Sequence, residues 1–121
     1  MAIAESVYRL SGAFPKTEMY GLTGQLRRAA VSVPSNIAEG HARASTREYL
    51  QYVSVAEGPL AELETQLELA VRLDYISEQE LGPIREQCVC LGKQLYQLRQ
   101  ALVQRLRAAN RSPIPEPRLD S

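Results

Sequence analysis

The sequence predicts an all-α protein: an antiparallel up-down-up-down four-helix bundle with a short first helix and proline-kinked second and third helices. Its composition is that of long helices, rich in Leu, Ala, Gln, Glu and Arg, with one Phe and no Trp. Apolar residues recur at helical spacing in four stretches. Only a few residues separate these stretches, and such short connections make neighbouring helices antiparallel.

The first two helices are predicted from apolar steps of four and three residues. The first stripe ends at Pro15 and consists of Ile3, Val7, Leu10 and Phe14. The second helix is predicted to be capped by Thr17, and its stripe consists of Leu22, Leu26, Ala29 and Val33. The first helix should therefore span less than half the length of the second or the third.

The third and fourth helices each begin at a predicted S-x-x-E capping box, Ser45 with Glu48 and Ser77 with Glu80. The third stripe consists of Tyr49, Val53, Ala56, Leu60, Leu63, Leu67 and Ala70. The fourth consists of Ile84, Cys88, Leu91, Leu95, Leu98 and Leu102, with Ile76 and Leu81 placed to form a hydrophobic staple. The predicted bundle covers residues 1–109. The proline-rich residues 110–121 are predicted to be an extended or disordered tail.

A polar segment, AVSVPSNIAEG, interrupts the second helix. Continuing the helical register past Val33 brings Asn36 to the core face, where we predict it to be buried and hydrogen-bonded to backbone near Pro34 or Pro59. Proline bends a helix, and Pro59 repeats the break in the third helix. We predict that the two breaks face each other as a polar waist formed by Ser32, Pro34, Ser35, Asn36, Glu39, Glu57 and Pro59.

The polar waist has two interpretations. The simpler one is structural: the waist fixes the register and curvature of the bundle. The other is a binding pocket that uses Asn36, Glu39 and Glu57.

The spacing of reactive residues predicts no enzyme, no cofactor, no metal site and no small-molecule substrate. The chain has one histidine, His41, and no second ligand or nucleophile stands at a spacing that would complete a site with it. We expect His41 to interact with the last carbonyls of the second helix. Cys88 and Cys90 point about 200° apart on a helix, so they can neither bridge each other nor share a metal.

Charge and hydropathy predict a cytoplasmic protein with no membrane partner. Acidic and basic residues balance at 14 each, no apolar run approaches ~20 residues, and the N-terminus has no signal-peptide layout. The distribution is uneven, because residues 51–80 hold seven acids and one base. Bases concentrate in the C-terminal half of the fourth helix: Lys93, Arg99, Arg105, Arg107 and Arg111.

The basic residues of the fourth helix allow two interpretations. They could pair with the acidic third helix or complement the helix dipole, or they could contact RNA phosphates. In the second helix, Arg27 is predicted to pair with Glu57 or Glu62 of the third helix. Arg28 points further round and is the better candidate for an RNA or subunit contact.

A second apolar line on the fourth helix predicts self-assembly. Val89, Tyr96 and Val103 recur every seven residues, about 120° from the core stripe. The third helix has similar off-stripe residues: Tyr52, Val55, Leu69 and Leu73. A broad core could absorb these residues. An apolar face left in water is unusual for a monomer, and we therefore predict a closed ring with Tyr96 at a heterologous interface.

Two segments carry a family resemblance, MYGLTGQLRRAAVSVPSNIAEG and AEGPLAELETQLELA. They resemble the bacterial four-helix-bundle family named for proteins encoded in intervening sequences of the 23S ribosomal RNA gene. They are also similar to the accessory proteins of diversity-generating retroelements. The resemblance extends to about Leu102. It implies a bundle that assembles into a homopentamer and binds structured RNA or a nucleic-acid enzyme.

The chain departs from the family at its start, where family members carry a further aromatic-rich segment ahead of the first stripe. Either one end of the bundle is thin, or the start lies upstream of Met1.

The sequence observations and the family resemblance together predict a non-enzymatic oligomeric bundle associated with structured RNA or a nucleic-acid-processing complex. The alternative is a protein–protein interaction scaffold without direct nucleic-acid contact.

Overall fold

The computed structural model describes residues 2–111, and this part of the chain is all-α with four helices and no strand. The helices are α1 (Ala2–Ser11), α2 (Leu22–His41), α3 (Thr46–Arg72) and α4 (Glu78–Arg111), with a short 3-10 helix at Lys16–Glu18. The predicted all-α class with four helices is confirmed. Helix α4 includes Asn110 and Arg111, where the tail was predicted to begin, and the rest of that tail lies outside the described residues.

One apolar stripe of each helix forms a common core. Helix α2 packs on α3, α3 on α4, and α1 on both α2 and α4. The predicted stripes of α3 and α4 are buried or packed against the core along their whole length. The largest fully buried side chains, which come from all four helices, include Val7, Leu26, Leu63, Leu67, Leu81, Leu95 and Leu102. The 3.6-residue period therefore places the core correctly.

The predicted capping box at Ser77 is confirmed with both of its hydrogen bonds, and the one at Ser45 with one of them. At the start of α3 the N–H of Glu48 donates to Ser45 Oγ at 3.0 Å. At the start of α4 the N–H of Glu80 donates to Ser77 Oγ at 3.0 Å, and the N–H of Ser77 donates to Glu80 Oε1 at 2.9 Å. These bonds satisfy N–H groups that a helix leaves without an internal partner.

The predicted start of α2 is wrong. Thr17 lies inside the 3-10 helix, and α2 begins only at Leu22. The cap comes instead from Glu18, whose Oε1 accepts the N–H of Leu22 at 3.0 Å. Helix α1 also ends earlier than its stripe predicts, at Ser11, although Phe14 still reaches the core from the connecting segment. The physical reason is that apolar spacing records which residues are buried, and a turn can bury a residue as well as a helix can.

The turn between α3 and α4 is a Schellman motif with Asp74 in the left-handed conformation at φ 63°. The N–H of Tyr75 donates to the Ala70 carbonyl and that of Asp74 to the Val71 carbonyl, both at 2.9 Å. These two bonds satisfy carbonyls at the end of α3 and reverse the chain within a few residues.

Gly40 allows the last turn of α2 to lie directly on the first turns of α3. A Cβ at this position would stand 2.7 Å from Tyr52 Cβ and 2.9 Å from Tyr49 Cδ1. Gly40 is buried, so α2 and α3 remain in contact up to the loop that joins them. Each of these two helices continues through one proline, Pro34 in α2 and Pro59 in α3.

Candidate functional site

Asn36 lies at the edge of the core, not within it. It is half-buried, and its Nδ2 donates to the Ser32 carbonyl at 2.8 Å and to Ser32 Oγ at 3.1 Å. The hydrogen bond to nearby backbone is therefore present, but the predicted burial is wrong. Ile37 packs against the core in its place, between Val33 and Gly40. The core face of α2 therefore continues four residues after Val33, at Ile37, and not three residues after it, at Asn36.

The predicted polar waist does not assemble. Ser35 and Glu39 are exposed, and Glu39 pairs with Arg43 at 2.5 Å within the end of α2 and its loop. Glu57 is engaged by Arg99 of α4. The two carboxylates proposed for a shared pocket therefore bind different arginines. That interpretation of Asn36, Glu39 and Glu57 as one binding pocket is wrong.

The two prolines of the waist also face different surroundings. Pro34 lines an apolar depression with Ile3 of α1 and Leu91 of α4. Pro59 lines a polar depression between α2 and α3 that also contains Ser32. The prediction that the two breaks face each other is wrong, because residues 34 and 59 lie on sides of their helices that meet different neighbours.

The polar depression between α2 and α3 has a volume of about 380 Å³. It combines guanidinium, hydroxyl, amide and carboxylate groups, and its lining residues are Gln25, Arg28, Ala29, Ser32, Pro59, Glu62 and Gln66. The Nε2 of Gln66 donates to Gln25 Oε1 at 3.5 Å, whereas the buried Oε1 of Gln66 has no hydrogen-bond partner. Such a surface can bind a polar group, and no pair within it resembles an acid–base or nucleophile–base arrangement.

Arg27 contacts α1 and not α3, so its predicted pairing with Glu57 or Glu62 is wrong. Its Nε donates to the hydroxyl of buried Ser11 at 2.9 Å, and its guanidinium lies 4.6 Å from the centroid of the Tyr8 ring. Position 27 lies on the side of α2 that packs on α1, and α3 packs on another side, since α1 and α3 both contact α2 but not each other.

Arg28 is exposed, as its assignment to an external contact requires. It lines the polar depression between α2 and α3 and also a groove between α1 and α2.

The basic residues of α4 divide into paired and unpaired groups. Arg99 donates to both carboxylate oxygens of Glu57, at 2.9 and 2.6 Å, and to Ser54 Oγ at 3.0 Å. This hydrogen-bonded carboxylate raises the pKa of Arg99. Its predicted role as a free nucleic-acid contact is therefore corrected: Arg99 joins α4 to the acidic α3, as does Arg85 through Glu68. Lys93, Arg105 and Arg107 remain exposed, and Arg111 is the last residue of α4.

The second apolar line of α4 is largely at the surface. Tyr96 is 62% exposed and Val89 48% exposed, whereas Val103 is half-buried. On α3, Val55, Leu69 and Leu73 are exposed as well. Val103 and Tyr52 are half-buried, and the other apolar side chains of these two sets are in contact with solvent.

The remaining reactive groups do not form a site. Cys88 is buried, which raises the pKa of its thiol to about 11, and Cys90 is exposed; neither is in a disulfide. His41 is the last residue of α2, the helix end at which it was expected, and its ring packs edge-on against Tyr49 at 5.8 Å between centroids. Residues 2–111 hold no group of three or more His, Cys, Asp or Glu side chains placed to bind a metal ion. None of the described helices has both the length and the apolar character needed to cross a membrane.

Sequence reasoning missed two contacts that organise the first part of the chain. One is Ser11 with Arg27, and the other is the hydroxyl of Tyr75, which donates to Glu18 Oε2 at 2.7 Å. Both join residues distant in sequence and neither has a periodic signature. For the contact of Arg27 with α1, the one hint in the sequence is Tyr8, an aromatic residue outside the apolar stripe of α1 that the structure leaves exposed.

Four helices around one core, with exposed basic and apolar side chains, define an all-α protein with four helices. Comparison with protein families gives a match over residues 1–97 to the family described as 23S rRNA-intervening sequence protein. The chain belongs to this family. A search of curated proteins gives no match.

Proposed function

We propose that this chain is a non-enzymatic, oligomeric four-helix bundle that associates with structured RNA through one basic end of the bundle. The family description refers to 23S ribosomal RNA, which supports an association with RNA. The observation that carries the proposal is the set of exposed arginines Arg47, Arg105 and Arg107. Among the described residues, none of them forms an ion pair.

An up-down-up-down arrangement brings these arginines to the same end. Contacts between distant residues support that arrangement: Gln25 meets Gln66, while Gly40 meets Tyr52. In the same way Glu57 binds Arg99, whereas Glu68, farther along α3, binds the earlier Arg85. The first turn of α3 then lies beside the last turns of α4.

Pro34 and Pro59 would bend α2 and α3, because each removes one helical hydrogen bond.

Exposed guanidinium groups fit a phosphate-binding role. They form bidentate hydrogen bonds to phosphate oxygens and displace counterions from RNA. At this end Arg43 is already paired with Glu39, as Arg99 is with Glu57, which leaves Arg47, Arg105 and Arg107 for an external anion. The proposal also includes the predicted contacts Arg28 and Lys93, which are exposed on other parts of the surface, and Arg111 at the end of α4. An intracellular RNA partner agrees with a cytoplasmic location.

The double substitution Arg105→Gln with Arg107→Gln tests the basic end. Fluorescence anisotropy with a labelled hairpin of 23S ribosomal RNA measures affinity at fixed salt, and we expect the double variant to bind about tenfold more weakly. The matched control is Lys16→Gln with Arg72→Gln, which removes two exposed bases elsewhere. Equal affinity of the double variant and the wild-type chain would show that the basic end does not bind RNA.

Assembly into a ring, a homopentamer as the family resemblance implies, is part of the same proposal. The exposed Val89 and Tyr96 of α4 and Leu69 and Leu73 of α3 support it, because separate apolar faces on two helices suit a heterologous interface. These faces equally support the second candidate function, a protein–protein interaction scaffold that makes no direct contact with nucleic acid. Binding of the RNA hairpin by the purified chain distinguishes the two.

A further inference from the structure

The groove between α1 and α2 combines aromatic and cationic side chains with no acidic one. Its volume is about 570 Å³, and its lining residues are Tyr8, Met19, Gly24, Arg27, Arg28, Val31 and Ser32. Tyr8 and Met19 are among the exposed large apolar side chains, and the neighbouring Tyr20 is 96% exposed. The nearby carboxylate of Glu18 is occupied, since it accepts hydrogen bonds from Leu22 and Tyr75.

Arg27 is held in place before any ligand arrives. Its Nε donates to Ser11 Oγ at 2.9 Å, its Nη2 to the Tyr8 carbonyl at 3.4 Å, and its guanidinium lies over the Tyr8 ring. A guanidinium fixed in this way loses little conformational freedom when it binds an anion.

Arg28 lies over Gly24 on the same groove. A Cβ at position 24 would stand 3.2 Å from Arg28 Nη1 and 2.8 Å from the Met19 carbonyl, so glycine gives both groups the room they occupy. Two arginines therefore face one groove that contains no carboxylate. The charge of this groove is complementary to an anion, and its exposed ring and thioether are complementary to a flat apolar surface.

We propose that the groove between α1 and α2 binds one unpaired nucleotide of a single-stranded RNA segment, with the phosphodiester at Arg27 and Arg28 and the base against Tyr8 and Met19. This inference rests on the proposed association with RNA and adds a second, separate contact to the basic end. Single-stranded RNA is the partner because its unstacked bases are free to stack on aromatic side chains and guanidinium planes, whereas those of a duplex are not.

The test compares a fluorescein-labelled single-stranded U10 RNA with a labelled blunt ten-base-pair RNA duplex. We expect Tyr8→Leu and Arg28→Gln each to weaken U10 binding about tenfold, the effect typical of losing one stacked or paired nucleotide. Tyr8→Leu, which removes no charge, should leave duplex binding within about twofold. Tyr8→Phe keeps the ring and should retain U10 binding. The controls are Tyr96→Leu and Arg9→Gln, which change an exposed tyrosine and an exposed arginine outside the groove.

Cross-linking gives a second measurement, of where on the chain the RNA binds. Ultraviolet cross-linking of 4-thiouridine-substituted U10, followed by peptide mass spectrometry, should label the segment from Tyr8 to Met19. If Tyr8→Leu and Arg28→Gln bind U10 as tightly as the wild-type chain and duplex binding is normal, the groove does not bind a nucleotide. The proposed RNA binding by the basic end would be unaffected by that result. A change in sedimentation coefficient caused by these variants would also overturn the nucleotide site, because the groove would then be a contact between copies. If the wild-type chain binds neither RNA, the proposed function fails with it.

Discussion

At the scale of single residues, Glu18 connects three parts of the chain through one carboxylate. It accepts the N–H of Leu22 at the start of α2 and the hydroxyl of Tyr75 in the turn after α3. These hydrogen bonds, that from Leu22 above all, hold the pKa of Glu18 below its usual value of 4.5. The same contact raises the pKa of Tyr75. The carboxylate therefore stabilises the fold in its ionised form.

This contact makes part of the stability depend on pH. A carboxyl group whose pKa is lower in the folded chain contributes stability above pH ~4.5, and that contribution is lost as the pH falls through the folded-state pKa. We expect Glu18→Gln to lower the Tm at pH 7 and the difference from the wild-type chain to disappear toward pH 3. Thermal melts followed by circular dichroism measure this difference. Glu86→Gln, at an exposed position of α4, should show no such convergence.

The two cysteines should differ sharply in reactivity. Cys88 is buried with a pKa of about 11, mainly because burial disfavours its thiolate, whereas Cys90 is exposed. Iodoacetamide at pH 8 should modify Cys90 in the folded chain, and Cys88 only after addition of denaturant. Peptide mass spectrometry identifies the modified site. Comparable rates at both positions in the native chain would contradict the burial of Cys88.

At the scale of the elements, Gly40 determines how closely α2 and α3 approach. Because a Cβ there would overlap Tyr52 Cβ and Tyr49 Cδ1, we expect Gly40→Ala to destabilise the protein by about 1–3 kcal/mol. The matched control is Gly58→Ala in α3, where a Cβ meets nothing within 4 Å. That substitution should stabilise the helix by about 0.5–1 kcal/mol. Urea unfolding measures both; a neutral or stabilising Gly40→Ala would contradict the close approach.

Helices α3 and α4 could be predicted from the sequence because their signals are local. Periodic burial and the Ser45 and Ser77 boxes depend only on neighbours along the chain. The start of α2 could not be predicted, because a 3-10 helix and the Glu18 cap replace a conventional N-cap residue. Asn36 and Ile37 follow Val33 by three and four residues, both compatible with a helix, so apolar spacing alone could not decide which one faces the core.

The candidate site was harder to predict than the fold. Whether Arg27 turns to α1 or to α3 depends on how the helices pack around α2, and this does not appear in a one-dimensional charge pattern. The same holds for Arg99, whose pairing with Glu57 depends on how α3 and α4 are placed side by side. The exposure of Val89 and Tyr96, in contrast, follows from their angle to the core stripe and was predictable.

At the scale of the whole molecule, the exposed apolar faces determine the expected state of assembly. Tyr96→Glu places a charge in the apolar line of α4 and should reduce a ring to smaller species while helical content is retained. Sedimentation velocity gives the size, and far-ultraviolet circular dichroism gives the helicity. Tyr20→Glu, at a fully exposed tyrosine outside this line, is the control. A wild-type chain that sediments as a monomer at micromolar concentration would remove the basis for the ring.

The most direct measurement of the proposed function is the salt dependence of RNA binding by the wild-type chain. Binding through exposed arginines releases counterions, so the logarithm of the association constant for the 23S ribosomal RNA hairpin should fall linearly with the logarithm of salt concentration, by about 0.7–0.9 for each phosphate contacted. The predicted result is a slope that corresponds to several phosphates and becomes shallower by roughly 1–2 in the Arg105→Gln, Arg107→Gln variant. No binding at low salt, or an affinity that does not change with salt, would contradict an RNA-associated bundle.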